Sequence, residues 1–254
     1  MKRSHWSIPY VVFMAVFVVL PLLLVMLYAF QDGSGHFTLA NITRFFSDSD
    51  ALSTFAVSLE VAIENTLICI LLGYPAAWIL ANKELNRSAV TIILFIMPMW
   101  INALMRTLAT AEIFNMLGIP LGKGTLLFGM VYDYLPFMIY PIYNVLSKMD
   151  KSYQEAAQDL GATPWKVFWK VTVPLSIPGV SSGVLMVFMP TVSTFAISEF
   201  LTNNKIKLFG TIIQENINSS MWNYGAALAF IMLIIIGITT MFSGERKDAE
   251  EALI

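Results

Sequence analysis

A polar segment between two apolar runs divides the second half of the chain. Residues 149–174 read MDKSYQEAAQDLGATPWKVFWKVTVP. Asp150 and Ser152 belong to the residue types that cap helix N-termini, and they predict a short helix over Tyr153–Leu160. Gly161 then provides the usual C-terminal stop, because glycine adopts the left-handed conformation in which many helices end.

A second helix is predicted directly after this glycine. Thr163-Pro164 can start it, since proline is favoured in the first helical turn. Its amphipathic face includes Trp165 and Trp169, and we expect it to end at Val173-Pro174. Ala156-Ala157 in the first helix present a flat surface of small side chains. A helix–glycine–helix of this kind is suited to docking against another protein.

The composition indicates a protein whose solvent is lipid. Of the 254 residues, 57% are hydrophobic and 13% are charged, and the mean hydropathy is +0.70. Soluble domains carry about 25% charged residues. The net charge of −2 gives no reason to expect a nucleic-acid partner. A lone cysteine, Cys69, and two separated histidines do not predict a metal site.

Apolar runs predict an all-α integral membrane fold with six transmembrane helices in a single domain, residues 1–254. Each run approaches or exceeds the roughly 20 apolar residues that a spanning helix needs. The expected spans are 8–30, 60–81, 88–105, 124–147, 177–199 and 222–243. The polar segment then becomes a loop at about 148–178.

The loop charges predict the orientation of these spans. Cytoplasmic loops carry an excess of Lys and Arg. One alternating set of segments holds ten of the 15 basic residues, namely Lys2, Arg3, Lys83, Arg87, Lys148, Lys151, Lys166, Lys170, Arg246 and Lys247. The other set, which includes Arg106, holds five. We therefore expect both termini and the 148–178 loop in the cytoplasm.

The spacing within the loop resembles a known family. Glu155-Ala156-Ala157, three residues, Gly161, nine residues and then Val171-Thr172-Val173-Pro174 is similar to the EAA loop of ABC-importer permeases, E-A-A-x3-G-x9-I-x-L-P. Valine replaces both the Ile and the Leu of that pattern, and the spacing is intact. The resemblance implies a type I importer permease in a bacterial cytoplasmic membrane. It assigns ATPase coupling to the residues Glu155, Ala156, Ala157, Asp159, Gly161 and Pro174.

The resemblance also implies partners and a cargo class. Residues 72–78, 100–106 and 135–138 are similar to the permeases of spermidine/putrescine importers. Such a chain is not catalytic and carries no cofactor, because a separate ATPase dimer binds ATP and Mg²⁺. The other implied partners are a homologous second permease, an extracytoplasmic polyamine-binding protein and membrane lipid.

A polycation path requires carboxylates and aromatic faces within the membrane. The candidate residues are Asp133, Glu199, Trp100, Asn102, Tyr134 and Tyr140. Structural alternatives stay open for each kind: Asp133 can bond a neighbouring helix, Glu199 can lie in a wet loop, and the aromatic rings can be interface anchors. Glu60 and Glu64, one turn apart, are expected to face the outer solvent or a binding protein.

Two rival functions remain open from the sequence. The nearer one is a permease of the same class for ferric ion, thiamine or an oxyanion. No Lys or Arg is expected in mid-span, which favours a cation over an anion. The other is a self-sufficient secondary transporter, for which inverted repeats are typical.

Overall fold

The computed structural model describes residues 8–83, 85–86 and 90–251, and its regular structure is helical. The α-helices are α1 (Ile8–Met14), α2 (Leu20–Ala29), α3 (Ala40–Ser47), α4 (Ser49–Ala81), α5 (Val90–Ile96), α6 (Ala103–Met116), α7 (Lys123–Lys148), α8 (Ser152–Asp159), α9 (Pro164–Val167), α10 (Val173–Ser193), α11 (Ala196–Thr202), α12 (Phe209–Asn218) and α13 (Trp222–Glu251). Short π-helical segments, Ala15–Val19 and Phe168–Thr172, join α1 to α2 and α9 to α10. The all-α prediction is confirmed.

Five helices in the described part of the chain are long and apolar enough to span a membrane. They are Pro9–Ala29, Ser49–Ala81, Lys123–Lys148, Pro164–Ser193 and Trp222–Thr240. A sixth span exists if Val90–Trp100 and Ala103–Met116, which meet at 90°, form one crossing.

The expected span at 88–105 therefore falls across a sharp bend. Pro98 lies in a 3-10 turn, Met97–Trp100, and its ring cannot continue an α-helix. Asn102 then starts α6, because its Oδ1 accepts from the backbone N–H groups of Leu104 (2.9 Å) and Met105 (3.3 Å). One proline and one cap thus divide a single apolar run into two helices.

The core of the bundle is formed by α4, α7 and α10, which pack side by side. Glycines permit this close approach. A Cβ on Gly179 would lie 2.9 Å from the carbonyl oxygen of Pro141, and a Cβ on Gly183 would lie 2.7 Å from the sulfur of Met138. Small residues at crossing points are typical of helices that associate in lipid.

Two pairs of polar side chains join α4 to α10 in the core. Asn65 Nδ2 donates to Thr191 Oγ1 at 2.8 Å, which joins α4 to α10. Tyr74 Oη and Ser176 Oγ lie 2.8 Å apart on the same two helices. Because lipid offers no hydrogen bonds, such pairs fix the relative position of the helices.

The remaining elements surround this core. α2 packs along α13, where the rings of Phe30 and Phe230 meet edge to face at 5.4 Å. The expected fifth span, 177–199, corresponds to α10 and the short helix α11, which are separated at Thr194-Phe195. α12 lies close to the end of α10, because Gly210 directly abuts the carbonyl group of Ser193.

Candidate functional site

The 148–178 loop contains a helix that ends at a left-handed glycine. Asp150 Oδ1 accepts from the backbone N–H of Ser152 at 2.9 Å, where α8 begins. That hydrogen bond lowers the pKa of Asp150. At the other end Gly161 has a φ of +81°, and nothing lies within 4 Å of where its Cβ would be. Gly161 thus has the conformation that its residue type predicts, whereas Asp150 bonds the first backbone N–H of α8 from the position before the N-cap residue, Lys151.

The second helix of the loop differs from the prediction at Pro174. α9 begins at Pro164 as expected, but it continues through the π-helical segment Phe168–Thr172 directly into α10. Pro174 therefore lies in the first turn of α10 and does not end a helix. Just before it, the N–H of Val173 donates to the carbonyl of Phe168 in the π-helical register, and Pro174 itself has no N–H to donate.

The loop rests on the spanning helices by one side only. The ring of Phe168 packs edge to face on Tyr74 (6.0 Å) and Trp78 (5.8 Å) of α4. Gln154 Nε2 donates to Thr172 Oγ1 at 3.4 Å, which ties α8 to the base of α10. A groove of about 460 Å³ separates α8 from the ends of α4 and α7.

Of the residues assigned to coupling, Glu155 borders this groove, Pro174 lies in the first turn of α10, and the others lie on α8 or directly after it. Ala157 is half-buried, and within the described residues nothing covers the exposed members, which are Glu155, Ala156, Asp159, Gly161 and Pro174. Leu160, at the end of α8, is 89% exposed. A rigid support behind and an uncovered small-residue surface in front are the properties of a docking helix.

Asp133 lies at a different kind of site, a buried ion pair. Its side chain is almost inaccessible, with the residue 2% exposed. Arg106 Nη2 lies 3.0 Å from Oδ1, and Thr107 Oγ1 donates to Oδ2 at 3.2 Å. Asp133 is on α7, whereas Arg106 and Thr107 are in the first two turns of α6, shortly after the bend.

Arg106 was expected in an outer loop, and this expectation is wrong. The residue is 7% exposed within α6, and its guanidinium lies 5.4 Å from the ring centre of Tyr132. Arg106 Nε and Nη1 have no hydrogen-bond partner among the described residues, and the contact with Asp133 Oδ1 is not an aligned hydrogen bond. The bend buries Arg106, and the buried arginine neutralises Asp133 within this subunit.

The other candidate cargo residues are not gathered around Asp133. Tyr134 is half-buried next to it on α7, and Tyr140 is exposed, about two turns further along the helix. Trp100 is exposed before the bend, and Asn102 is occupied as the cap of α6. Glu199 is half-buried on α11, a helix that packs on both α6 and α7.

A charged cavity lies at the end of the bundle opposite the 148–178 loop, and the sequence predicted only some of its residues. Lys123 Nζ lies 2.7 Å from Glu60 Oε1 and 2.8 Å from Glu64 Oε1. Glu60 and Lys123 line a cavity of about 840 Å³ together with Lys207 and Glu215, which also form an ion pair. The one-turn spacing of the two glutamates was visible in the sequence, but their lysine partner was not. In residues 8–83, 85–86 and 90–251, no group of three His, Cys, Asp or Glu could hold a metal ion.

Comparisons with known proteins agree with this architecture. Residues 5–246 match the family described as binding-protein-dependent transport system inner membrane component. The chain is 34% identical over 220 residues to the spermidine/putrescine transport system permease protein PotB of Escherichia coli K12, covering 80% of each protein. It is 26% identical over 248 residues to the putrescine transport system permease protein PotI of the same organism, covering 93% of this chain and 88% of PotI.

A solved structure shares the fold. A bacterial alginate ABC transporter, crystallised in complex with an alginate pentasaccharide-bound periplasmic protein, has a chain that superposes with a TM-score of 0.68. The match covers 94% of this chain and 91% of that one at 12% identity. The fold is that of a type I ABC-importer permease. Taken with the family match over nearly its whole length, this places the chain in the binding-protein-dependent transport system inner membrane component family, as a permease subunit of an ABC importer.

Proposed function

We propose that this permease imports polyamines, of the spermidine and putrescine class. The observation that carries the proposal is the 34% identity to PotB over 80% of both chains. The similarity to PotI, whose name also specifies a polyamine, supports it. The scarcity of charge in the spans is compatible with a cationic cargo, since the buried arginine is already paired with Asp133.

The proposed assembly has six spans with both termini in the cytoplasm of a bacterium. The bent pair Val90–Trp100 and Ala103–Met116 is then the third span. A homologous second permease completes the path, and a polyamine-binding protein delivers cargo at the outer cavity. A dimer of ATPase subunits, which bind ATP and Mg²⁺, docks at the loop. This chain performs no catalysis in that arrangement.

Coupling is proposed to pass through α8 into two spans at once. The surface around Glu155-Ala156-Ala157 fits a groove of the ATPase, and Gly161 connects it to α9. Because α9 continues into α10 without a break, a movement of the loop acts directly on a core helix. The contact of Phe168 with Tyr74 and Trp78 transmits the same movement to α4.

The proposed cargo path uses aromatic rings and one accessible acid. Glu199 and Tyr134 line it near the outer half, and Tyr140 lines it nearer the cytoplasm. Trp100 and Asn102 mark its outer margin. Asp133 belongs to the same region, and its charge becomes available to an ammonium group only when α6 moves away with Arg106. The second permease supplies the opposite wall.

Uptake of labelled spermidine by cells that lack this gene tests the proposal. The measurement is made with and without a plasmid copy, in cells that have no other polyamine carrier, and with ATP depletion as the energy control. We expect ATP-dependent uptake only with the plasmid. Uptake that is indifferent to the gene leaves the permease family unchanged and refutes the polyamine cargo.

Glu199→Gln tests the path in the same cells. Loss of the carboxylate charge is expected to raise the KM for spermidine about tenfold, which corresponds to a contribution of roughly 1.4 kcal/mol from one ammonium contact. Glu112→Gln, which changes an exposed glutamate of α6, is the matched control and should leave KM unaltered. Equal KM values for Glu199→Gln and the unaltered protein would remove Glu199 from the path.

A further inference from the structure

The first turns of the Pro164–Ser193 span carry an uncovered surface that coupling does not use. Trp165 is 70% exposed and Trp169, one turn later, is 52% exposed. Their rings meet edge to face at 5.7 Å and form one continuous aromatic surface. Lys166 and Lys170 are exposed beside them. We refer to these four residues as the Trp–Lys face.

The Trp–Lys face is turned away from the helix bundle. The opposite side of the same turns is anchored, because Val167 is buried and Phe168 packs on Tyr74 and Trp78. Trp165 stacks on Phe168 at 6.1 Å, so its position is fixed by the anchored side. The two tryptophan rings therefore have defined positions on the span, and the two lysines extend beside them.

The length of the span places the face at the level of the lipid headgroups. Pro164–Ser193 contains 30 residues, which corresponds to about 45 Å of helix. The hydrocarbon core is about 30 Å thick, and the bilayer with its headgroups about 40–45 Å. Residues 171–193 carry no charge and alone correspond to about 34 Å of helix, enough to cross the hydrocarbon, so residues 164–170 extend past it at the cytoplasmic end. Tryptophan rings are enriched at this depth.

The charge of the face fits anionic headgroups. Among the described residues, neither Lys166 nor Lys170 has a carboxylate within ion-pair distance, unlike Lys123 and Lys207 at the outer end. Basic residues next to a membrane attract anionic lipid with about 1 kcal/mol each. Two lysines flanked by two interfacial indoles provide both components of a headgroup contact.

We propose that the Trp–Lys face docks on anionic phospholipid headgroups of the cytoplasmic leaflet and holds the coupling loop at the membrane surface. The proposal takes its orientation from the proposed function. Lipid, and not the ATPase, covers these four residues, while Glu155–Gly161 remains free for the ATPase. The lipid composition of the leaflet then sets the height at which the coupling helix is presented.

A spin label distinguishes lipid from protein as the covering partner. The label is attached at Trp169→Cys in a Cys69→Ala background, in the complete transporter in nanodiscs that contain phosphatidylglycerol and phosphatidylcholine. We expect collisions with oxygen, which partitions into lipid, to exceed those with a water-soluble nickel chelate. Leu160→Cys on α8 is the matched position, where shielding by the ATPase is expected. A label at 169 that is shielded from both reagents, or that meets mainly nickel, overturns the proposal.

The ATPase rate of the same complex provides a second readout that does not depend on the cargo. Replacing phosphatidylglycerol by phosphatidylcholine is expected to lower the rate about fivefold or more in the unaltered complex, given the attraction of each lysine for anionic lipid. The double variant Lys166→Gln with Lys170→Gln should abolish the dependence of the rate on anionic lipid. The control is Lys151→Gln, which removes one positive charge that lines the groove, and it should retain the dependence. A double variant that keeps the full lipid dependence overturns the proposal. Neither readout changes if the cargo is not a polyamine.

Discussion

The 148–178 loop and the Asp133 ion pair place polar groups in this membrane protein in two different ways. The loop consists of contiguous residues, α8 is mostly exposed, and both ends of α8 are marked by local features, the hydrogen bond of Asp150 and the left-handed Gly161. The ion pair joins two helices, it is buried, and the contact of Thr107 with Asp133 spans 26 residues. Local signals can therefore be recognised in one sequence, whereas a contact between helices cannot.

The two regions also differ in what they contribute to the protein. An exposed loop adds little to the stability of the isolated subunit, and its surface is available to a partner. A buried ion pair must recover the cost of desolvating both charges. Arg106 recovers only part of that cost, because two of its nitrogens have no partner among the described residues. We therefore expect changes at the ion pair to affect folding, and changes at the loop to affect transport.

The largest effect is expected from breaking the ion pair. Arg106→Met or Asp133→Leu alone leaves one buried charge without its partner, at a cost of about 3–5 kcal/mol. Both single variants should give little folded protein in the membrane. The double variant removes both charges and should recover the yield and the thermal unfolding temperature. The measurement is the amount of monodisperse protein after detergent extraction, together with its Tm.

The double variant also tests the cargo path. If Asp133 acts only through its pair with Arg106, the double variant transports spermidine. If the carboxylate contacts an ammonium group of the cargo, the protein is stable but transport stays lost. A double variant that is as unstable as the single ones would contradict the ion-pair account of both residues.

At the loop, Gly161→Asp should abolish uptake without removing the protein from the membrane. A side chain at a φ of +81° costs about 1–2 kcal/mol, and the strain shifts α8 relative to α9. Gly35→Asp is a matched control, because Gly35 has a φ of +82° and equally open surroundings in the turn between α2 and α3. Equal uptake in the Gly161→Asp variant and the unaltered protein would remove Gly161 from coupling.

A smaller, graded effect is expected at Glu155. Glu155→Lys reverses a charge on the exposed side of α8, and the ATPase should co-purify about tenfold less, which is a typical loss for one unfavourable charge contact of roughly 1.4 kcal/mol. The yield of co-purified ATPase with Glu155→Gln should lie between the yields with Glu155→Lys and with the unaltered protein. Co-purification in 50 mM and 500 mM salt separates a charge contact from misfolding, since only the former weakens with salt. An unchanged yield of ATPase with Glu155→Lys would contradict docking at this surface.

The sequence predicted those parts of the fold that depend on neighbouring residues. Hydropathy and the cap at Asp150 were sufficient for the helical class and for α8. Pro98 and Asn102 are the residues that cause the bend, but they lie in an uninterrupted apolar run, which predicts a single straight span. Arg106 looked like a loop residue because it follows that run, and its burial depends on the bend. Its pairing with Asp133 depends on how α6 packs on α7, and one sequence does not encode this in a visible pattern.

The smallest effect is expected at Asp150, and it tests whether neighbouring residues alone determine the conformation of α8. Asp150 accepts from the backbone N–H of Ser152, and this hydrogen bond lowers the pKa of the carboxyl below its ordinary 3.8. A lowered pKa means that the cap stabilises α8 fully above pH 3.8 and loses this contribution as the pH falls through the lowered pKa. Asp150→Ala should therefore reduce the hydrogen-exchange protection of the α8 amides modestly at pH 5–8, and the difference should disappear in acid. Asp150→Asn, which still caps the helix, should keep its protection at every pH. The opposite result would be that Asp150→Ala leaves the protection of α8 unchanged, while a substitution at Trp78 of α4 lowers it. The loop would then be held by its contact with the spans, and its conformation would be tertiary in origin, like the ion pair.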